Sequence, residues 1–223
     1  MRAIISPMNA PVAPEMRIFS PSGEPLYLNA DERERFLAAV RKDTDRNAVI
    51  FGTLLHYTGA RPTELRELTV DRVNVDESII NLRTIKKRRV DKKGNLKQAQ
   101  FRSIPIPEEV MNLVVLAFDI LAKQKKGRNA LLWPSDDNPK IPVNESTVYR
   151  WVKRNMVSAG ITGKKATSKG LRHGFGVHMV LNGVPLVMIK DLMGHTSTQT
   201  TEIYLQVMGG EKKEMVLNTW KNN

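Results

Sequence analysis

The sequence predicts a mainly α domain that carries one small antiparallel β-sheet. Three observations predict it. Apolar residues recur at helical spacing through most of the 223 residues, and cap residues such as Gly59, Asn144 and Gly194 punctuate them. Two runs, Ile79 to Ile85 and Phe101 to Ile106, instead pair β-branched residues with strand-like alternation. A long polar stretch joins those two runs, as the tip of a hairpin would.

Taken in order, residues 1–25 carry Pro7, Pro11, Pro14, Pro21 and Pro25 without helical or strand period, which predicts an arm with little regular structure. A helix is expected from Asn29–Asp31 through Phe36, Leu37 and Val40. Residues 47–57 are apolar enough for a buried helix, which Gly59 ends. Pro62 suits the first turn of a helix to Leu68, because the N–H it lacks would have no partner there. Val73 and Val75 lead into a turn at Asp76–Ser78 and then the hairpin. Glu108 to Lys123 is expected as one apolar-periodic helix. Asn144 caps a helix through Trp151 and Val157, and Thr167 or Ser168 caps another that stops at Asn182–Gly183. Pro185 to Met193 is a short helix, Thr198 to Leu205 a turn or two more, and Glu211 to Lys221 a last helix with Met215, Val216 and Trp220 on one edge. The divisions are an arm at 1–25, one catalytic-sized domain at 26–208 and a tail at 209–223.

Composition narrows the function. Lysine and arginine exceed aspartate and glutamate by 12, with a pI near 10.0, so the surface attracts polyanions such as nucleic acid. There is no cysteine, which removes disulfides, thiol chemistry and cysteine zinc sites. His173 and His178 are five apart and share a helix face poorly, so no metal pair is expected. No apolar run is long enough to span a bilayer and Met1 to Met16 has no signal-peptide core, so a cytoplasmic location and no membrane partner are expected.

Four boxes carry the chemistry. Thr58-Gly59-Ala60-Arg61-Pro62-Thr63-Glu64-Leu65 comes first. Ser168-Lys169-Gly170-Leu171-Arg172-His173 opens a later helix, Leu192-Met193-Gly194-His195 follows, and Tyr204 stands nine residues beyond His195. Breaking a phosphodiester without metal or nucleotide requires a nucleophile that keeps the bond energy, and a tyrosine does so by taking the phosphate covalently. The free phenol, with a pKa near 10, is only about 0.1% ionised at pH 7, so it must lose a proton during attack. Guanidiniums, always protonated and forked, suit the charge that builds on the nonbridging oxygens. The leaving oxygen also needs an acid.

This ordered set, over residues 30–210, resembles the tyrosine recombinase family, also called phage integrases. The resemblance implies that family's catalytic-domain fold and a site-specific recombinase that cleaves and rejoins double-stranded DNA through a 3′-phosphotyrosine, with no cofactor. It makes Arg61 and Arg172 the phosphate clamps, Tyr204 the nucleophile, His195 a donor to a nonbridging oxygen and Glu64 a supporting carboxylate. It places the general acid on the hairpin, at Lys86 or alternatively Lys87. From Arg83 to Arg102 there are nine basic residues and one acid, and Lys87, Arg88, Arg89, Lys92 and Lys93 are expected to contact DNA phosphates or to solvate the tip. Where the family usually has histidine, this chain has Lys169. It is kept in the site as a phosphate donor, and it could act as a base only if burial lowered its pKa. The resemblance further implies a homotetramer on two DNA sites, with the 209–223 tail docked on a neighbouring subunit. Full-length relatives carry an N-terminal clamp domain; with about 28 residues ahead of the pattern, the chain is expected to be either a naturally short member, which the initiator Met and proline arm slightly favour, or an excised fragment. Two other functions fit the same residues: a type IB topoisomerase-like relaxing enzyme, and a DNA-binding module that has lost catalysis, which only Lys169 supports. His56, His173 and His178 are expected to be structural, and Tyr27, Tyr57, Tyr149, Trp133, Trp151 and Trp220 to serve packing.

Overall fold

A computed structural model describes residues 17–84, 99–127 and 129–207. The hairpin tip with Lys86, Lys87, Arg88, Arg89, Lys92 and Lys93 lies outside the described residues, as do the first 16 residues and the tail from Met208.

The described chain is mainly helical with a three-stranded antiparallel sheet, as the patterning requires. Helix α1 (Ala30–Arg41) starts at a capping box: the Asn29 side chain accepts from the Glu32 N–H, and the Glu32 carboxylate accepts from the Asn29 N–H. Helix α2 (Arg46–Thr58) is capped by Asp45 and closed by Gly59 at φ 58°. Helix α3 (Pro62–Leu65) is shorter than the expected run to Leu68. A turn already buries both Leu65 and Leu68, with the Leu68 N–H donating to the Leu65 carbonyl at 3.0 Å.

Strands β1 (Val73–Asn74), β2 (Ile79–Thr84) and β3 (Gln100–Pro105) lie in the order β1-β2-β3, with Leu82 facing Arg102 across the central pair. The single helix expected from Glu108 to Lys123 is two, α4 (Glu108–Phe118) and α5 (Ile120–Lys125), because Asp119 adopts a left-handed conformation at φ 51°. The bend lets both Phe118 and Ile120 enter the core while Leu121 turns outward, 56% exposed. Helices α6 (Glu145–Ser158), α7 (Ser168–Leu181) and α8 (Leu186–Met193) follow, then the single turn α9 (Gln199–Glu202) and a 3-10 segment, Ile203–Val207.

Two apolar clusters form. The larger joins α1, α2, the sheet, α4 and α6 around Phe51, Trp133 and Trp151. The smaller gathers Ile18, Phe175, Val177, Val180, Ile189, Met193, Ile203 and Tyr204. Ile18 is fully buried there, and Phe19 bridges to Pro25, so the end of the proline-rich stretch folds against the domain. Helix α7 contributes Leu171 to the larger cluster and Phe175 to the smaller, which sets Arg172 and His173 at the seam between them. Among the expected packing aromatics, Tyr149 differs: it stands on the outer face of α6, 64% exposed. No described helix is long and apolar enough to cross a membrane.

Candidate active site

The site is assembled around one carboxylate. Gly59 turns the chain sharply out of α2, and Arg61 then sits extended at the cap of α3 with Pro62 behind it. Glu64, three residues on, accepts the Arg61 N–H at 3.0 Å and Arg61 Nη1 at 2.9 Å. Its other partner arrives from the sheet: Arg102 Nη2 donates to Oε2 at 2.6 Å. The Glu64 side chain is fully buried, whereas that of Arg61 is 40% exposed and open to a ligand. Burial works against ionisation of Glu64, but the Arg102 hydrogen bond and the charges of Arg102, Arg172 and Arg61 outweigh it and hold the carboxyl below its usual range.

Arg102 has two further ties. Its Nε donates to the Leu192 carbonyl at 2.8 Å and its Nη1 to Thr84 Oγ1 at 3.2 Å. It therefore joins β3 to α3 and to the C-terminal end of α8, which delivers His195. Gly194, at φ 62°, passes so close to this guanidinium that a Cβ there would lie 3.0 Å from Nη1.

Arg172 is anchored by helix ends. Its Nη1 donates to the Gly59 carbonyl at the end of α2 at 2.6 Å, and its Nη2 donates to the Met193 carbonyl at the end of α8. Such carbonyls carry the negative end of the helix dipole and hold a cation well. Two of five N–H donors are used, so the fork keeps donors for a ligand. Burial, and then Arg61 nearby, push this guanidinium down to about 9, which still leaves it protonated at neutral pH.

Tyr204 lies in the 3-10 segment and is 1% exposed. Its hydroxyl shares a hydrogen bond of 3.1 Å with His173 Nδ1. One side of the ring meets Gly176, where a Cβ would come within 2.5 Å of it, and the His195 imidazole stacks at 6.4 Å and 16°. Burial pushes the phenol up to about 12, although Arg172 and Arg61 both pull the other way. His195 is neutral: burial, then Arg172 and Arg61, bring it down to about 3, and its Nδ1 pairs with Thr201 Oγ1 at 3.0 Å. A cleft of about 980 Å³ between β3 and α8 has Arg102, Gly194 and His195 in its wall.

The structure thus gathers Arg61, Glu64, Arg172, His195 and Tyr204 from separate stretches of chain. Lys169 is in the first turn of α7 and exposed, near enough for its charge to act on His173. The burial that a lysine base needs is absent. His173, expected to be structural, instead touches the candidate nucleophile. Burial, then Lys169 and Arg172, lower it to about 4. Arg102 is a second residue that sequence reasoning missed. Its only signal was a charge at an inward position of a strand, opposite Leu82. His56 is the core histidine expected, packed edge-on to Tyr57.

The arrangement offers forked cations, a neutral imidazole and a phenol around one place, a combination suited to phosphoryl transfer to tyrosine. The model of the phage integrase family matches residues 27–210. The tyrosine recombinase XerA of Pyrococcus furiosus is 30% identical over 196 residues, covering 88% of this chain and 62% of the relative. A tyrosine recombinase of Thermosipho africanus is 27% identical over 192 residues, covering 86% and 61%. The chain therefore spans somewhat under two thirds of these relatives. Among solved structures, XerA recombinase superposes with a TM-score of 0.65 at 28% identity, over 87% of this chain and 65% of that one. The catalytic domain of bacteriophage HP1 integrase shares the fold, with a TM-score of 0.54 at 18% identity over 86% of this chain and 93% of that one.

Proposed function

The chain belongs to the phage integrase family, and we propose that it is a site-specific recombinase that cleaves and rejoins double-stranded DNA through a covalent 3′-phosphotyrosine at Tyr204. One observation carries the reading: Arg61 and Arg172, brought from distant stretches, lie close enough for their charges to act on the same phenol, and His195, from a third stretch, stacks on its ring at 6.4 Å. A scissile phosphate would take the exposed end of Arg61, held by Glu64, and the free donors of Arg172. His195, neutral and oriented by Thr201, would donate one N–H to a nonbridging oxygen. Tyr204 Oη then bonds to phosphorus as the P–O5′ bond breaks, and O5′ takes a proton from Lys86 on the hairpin. The phenolic proton passes to a base or to water. Rejoining reverses these steps, with a DNA 5′-hydroxyl displacing the phenol. Lys169, exposed at the start of α7, serves as a phosphate donor.

DNA as the partner is supported by the net charge of +12 and by relatives solved with it, XerH on its difH substrate and the Tn1549 integrase on transposon end DNA. We extend the reading to a tetramer on two DNA sites, with residues 209–223 docked on a neighbouring subunit, acting in the cytoplasm. The hairpin cations Lys87, Arg88, Arg89, Lys92 and Lys93 would add phosphate contacts.

The test selects bound duplexes from a random pool and rebuilds them as nicked suicide substrates. The chain should form a covalent adduct that Tyr204→Phe abolishes while its DNA affinity is kept. An adduct that survives Tyr204→Phe would end the proposal. Removing residues 209–223 should shift the mass of the DNA complex from four protomers toward fewer; an unchanged mass would refute the docking.

A further inference from the structure

We propose that His173 is a positioning residue that holds Tyr204 in a resting place, and that breaking its hydrogen bond to the phenol arms the nucleophile. The inference rests on the recombinase reading and deepens it.

In its present place the hydroxyl cannot react. At 1% exposure Tyr204 is a core residue, packed with Ile18, Phe175 and Ile203. In-line attack needs the oxygen about 3–3.5 Å from phosphorus, and a duplex cannot bring a phosphate into that core. The phenol must therefore move outward before any cleavage. Its backbone is a short 3-10 segment, Ile203–Val207, held by poorer hydrogen bonds than an α-helix would supply.

The resting place is specific. Gly176 clears the floor of the slot, since a Cβ there would fall 2.5 Å from both Cε2 and Cζ of the ring. His195 covers another side. The hydroxyl meets His173 Nδ1 at 3.1 Å, while the ring behind it packs in the smaller apolar cluster. His173 Nε2 is buried with no hydrogen-bond partner, so the Tyr204 contact is the imidazole's one side-chain hydrogen bond among the described residues. The contact is a hold and not a proton transfer. Burial keeps the phenol near 12 and the imidazole near 4, so the proton stays on oxygen.

His173→Phe keeps the ring volume and removes the partner. At saturating suicide DNA it should form adduct about fivefold faster, the population shift that one neutral hydrogen bond holds back. DNA affinity, measured in the Tyr204→Phe background, should not change. The Tyr204 phenol, followed by carbon-13 tyrosine NMR, should titrate below its value in the parent chain, toward the solvated value near 10. His173→Asn, which restores a polar atom close to Nδ1, should return both readouts toward the parent chain. A slower or unchanged rate in His173→Phe with an unchanged phenol overturns the proposal. So does His173→Asn behaving like His173→Phe. If the parent chain itself makes no adduct, the recombinase reading fails; if it does and His173→Phe behaves as the parent, the hold alone fails.

Discussion

Glu64 answers two guanidiniums with one carboxylate, and this explains why the site tolerates cations packed so closely. Arg61, Arg102 and Arg172 repel one another, and the single buried negative charge offsets them. Arg102→Lys tests how much of this depends on shape. Lysine keeps the charge, but its ammonium cannot reach Glu64, the Leu192 carbonyl and Thr84 together from one fork. The variant should lose about 2–4 kcal/mol in urea unfolding, since buried acceptors are left unpaired. Adduct formation should drop on the order of tenfold or more, because Glu64 and the end of α8 lose a common anchor. A variant that keeps full rate and stability would show that charge alone suffices. The residues gathered around Tyr204 were legible as candidates because each box pairs a residue type with a spacing: Arg61 with Glu64, Arg172 with the opening of a helix, His195 after Gly194. Arg102 stood among the charges around the hairpin, and sequence alone does not tell an inward arginine from a solvated one. His173 next to Arg172 read as structural because its partner is 31 positions away.

Helix ends, more than helix bodies, place the chemistry. Arg172 binds the last carbonyls of α2 and α8, and the left-handed residues Gly59 and Gly194 are what bring those ends together. Gly59→Ala should reveal this. Alanine at φ 58° is strained, and its Cβ would fall 2.4 Å from Phe175 Cδ1. The expected loss is about 2–4 kcal/mol, combining backbone strain with overpacking. Cleavage should fall further than stability predicts, because the carbonyl that seats Arg172 belongs to this residue. Equal losses in Gly59→Ala and in a cavity variant such as Leu54→Ala would argue against that link. Caps of this kind were readable in the sequence, as Asn29, Gly183 and the Thr167–Ser168 pair also were, of which the structure uses Thr167, because each has a backbone requirement that few residues meet. The break at Asp119 was not. The apolar period runs through Phe118 and Ile120 without a glycine or proline, and only tertiary packing decides that Ile120 enters the core while Leu121 stays outside. The early end of α3 has the same origin, since Leu65 and Leu68 are buried equally well by a turn.

At the scale of the whole molecule, the histidines make folding sensitive to acid. His56 and His195 are brought down to about 3 and His173 to about 4, in each case first by burial and then by nearby cations. In the unfolded chain each would titrate near 6.5. The folded state therefore resists protons that the unfolded state accepts. The stability these neutral imidazoles carry is full above pH 6.5 and is lost progressively as pH falls toward 4. With three such groups, unfolding takes up nearly three protons in that window, a slope of about 4 kcal/mol per pH unit. Over two pH units that slope removes about 8 kcal/mol, comparable with the usual 5–15 kcal/mol of a domain this size, so acid brings the fold close to unfolding. Glu64 and Asp43, both held below the usual carboxyl range, add to the loss only where carboxyls begin to protonate, at the lower end. The logarithm of the unfolding constant, measured between pH 6 and 4.5, should therefore change by nearly three per pH unit, and His56→Gln should reduce that by about one. A slope of one or less in the parent chain would mean that these imidazoles are open to water in the native state. His195 would then be charged near pH 6, and the neutral donor assigned to it beside Arg61 and Arg172 would have to be replaced by a third cation.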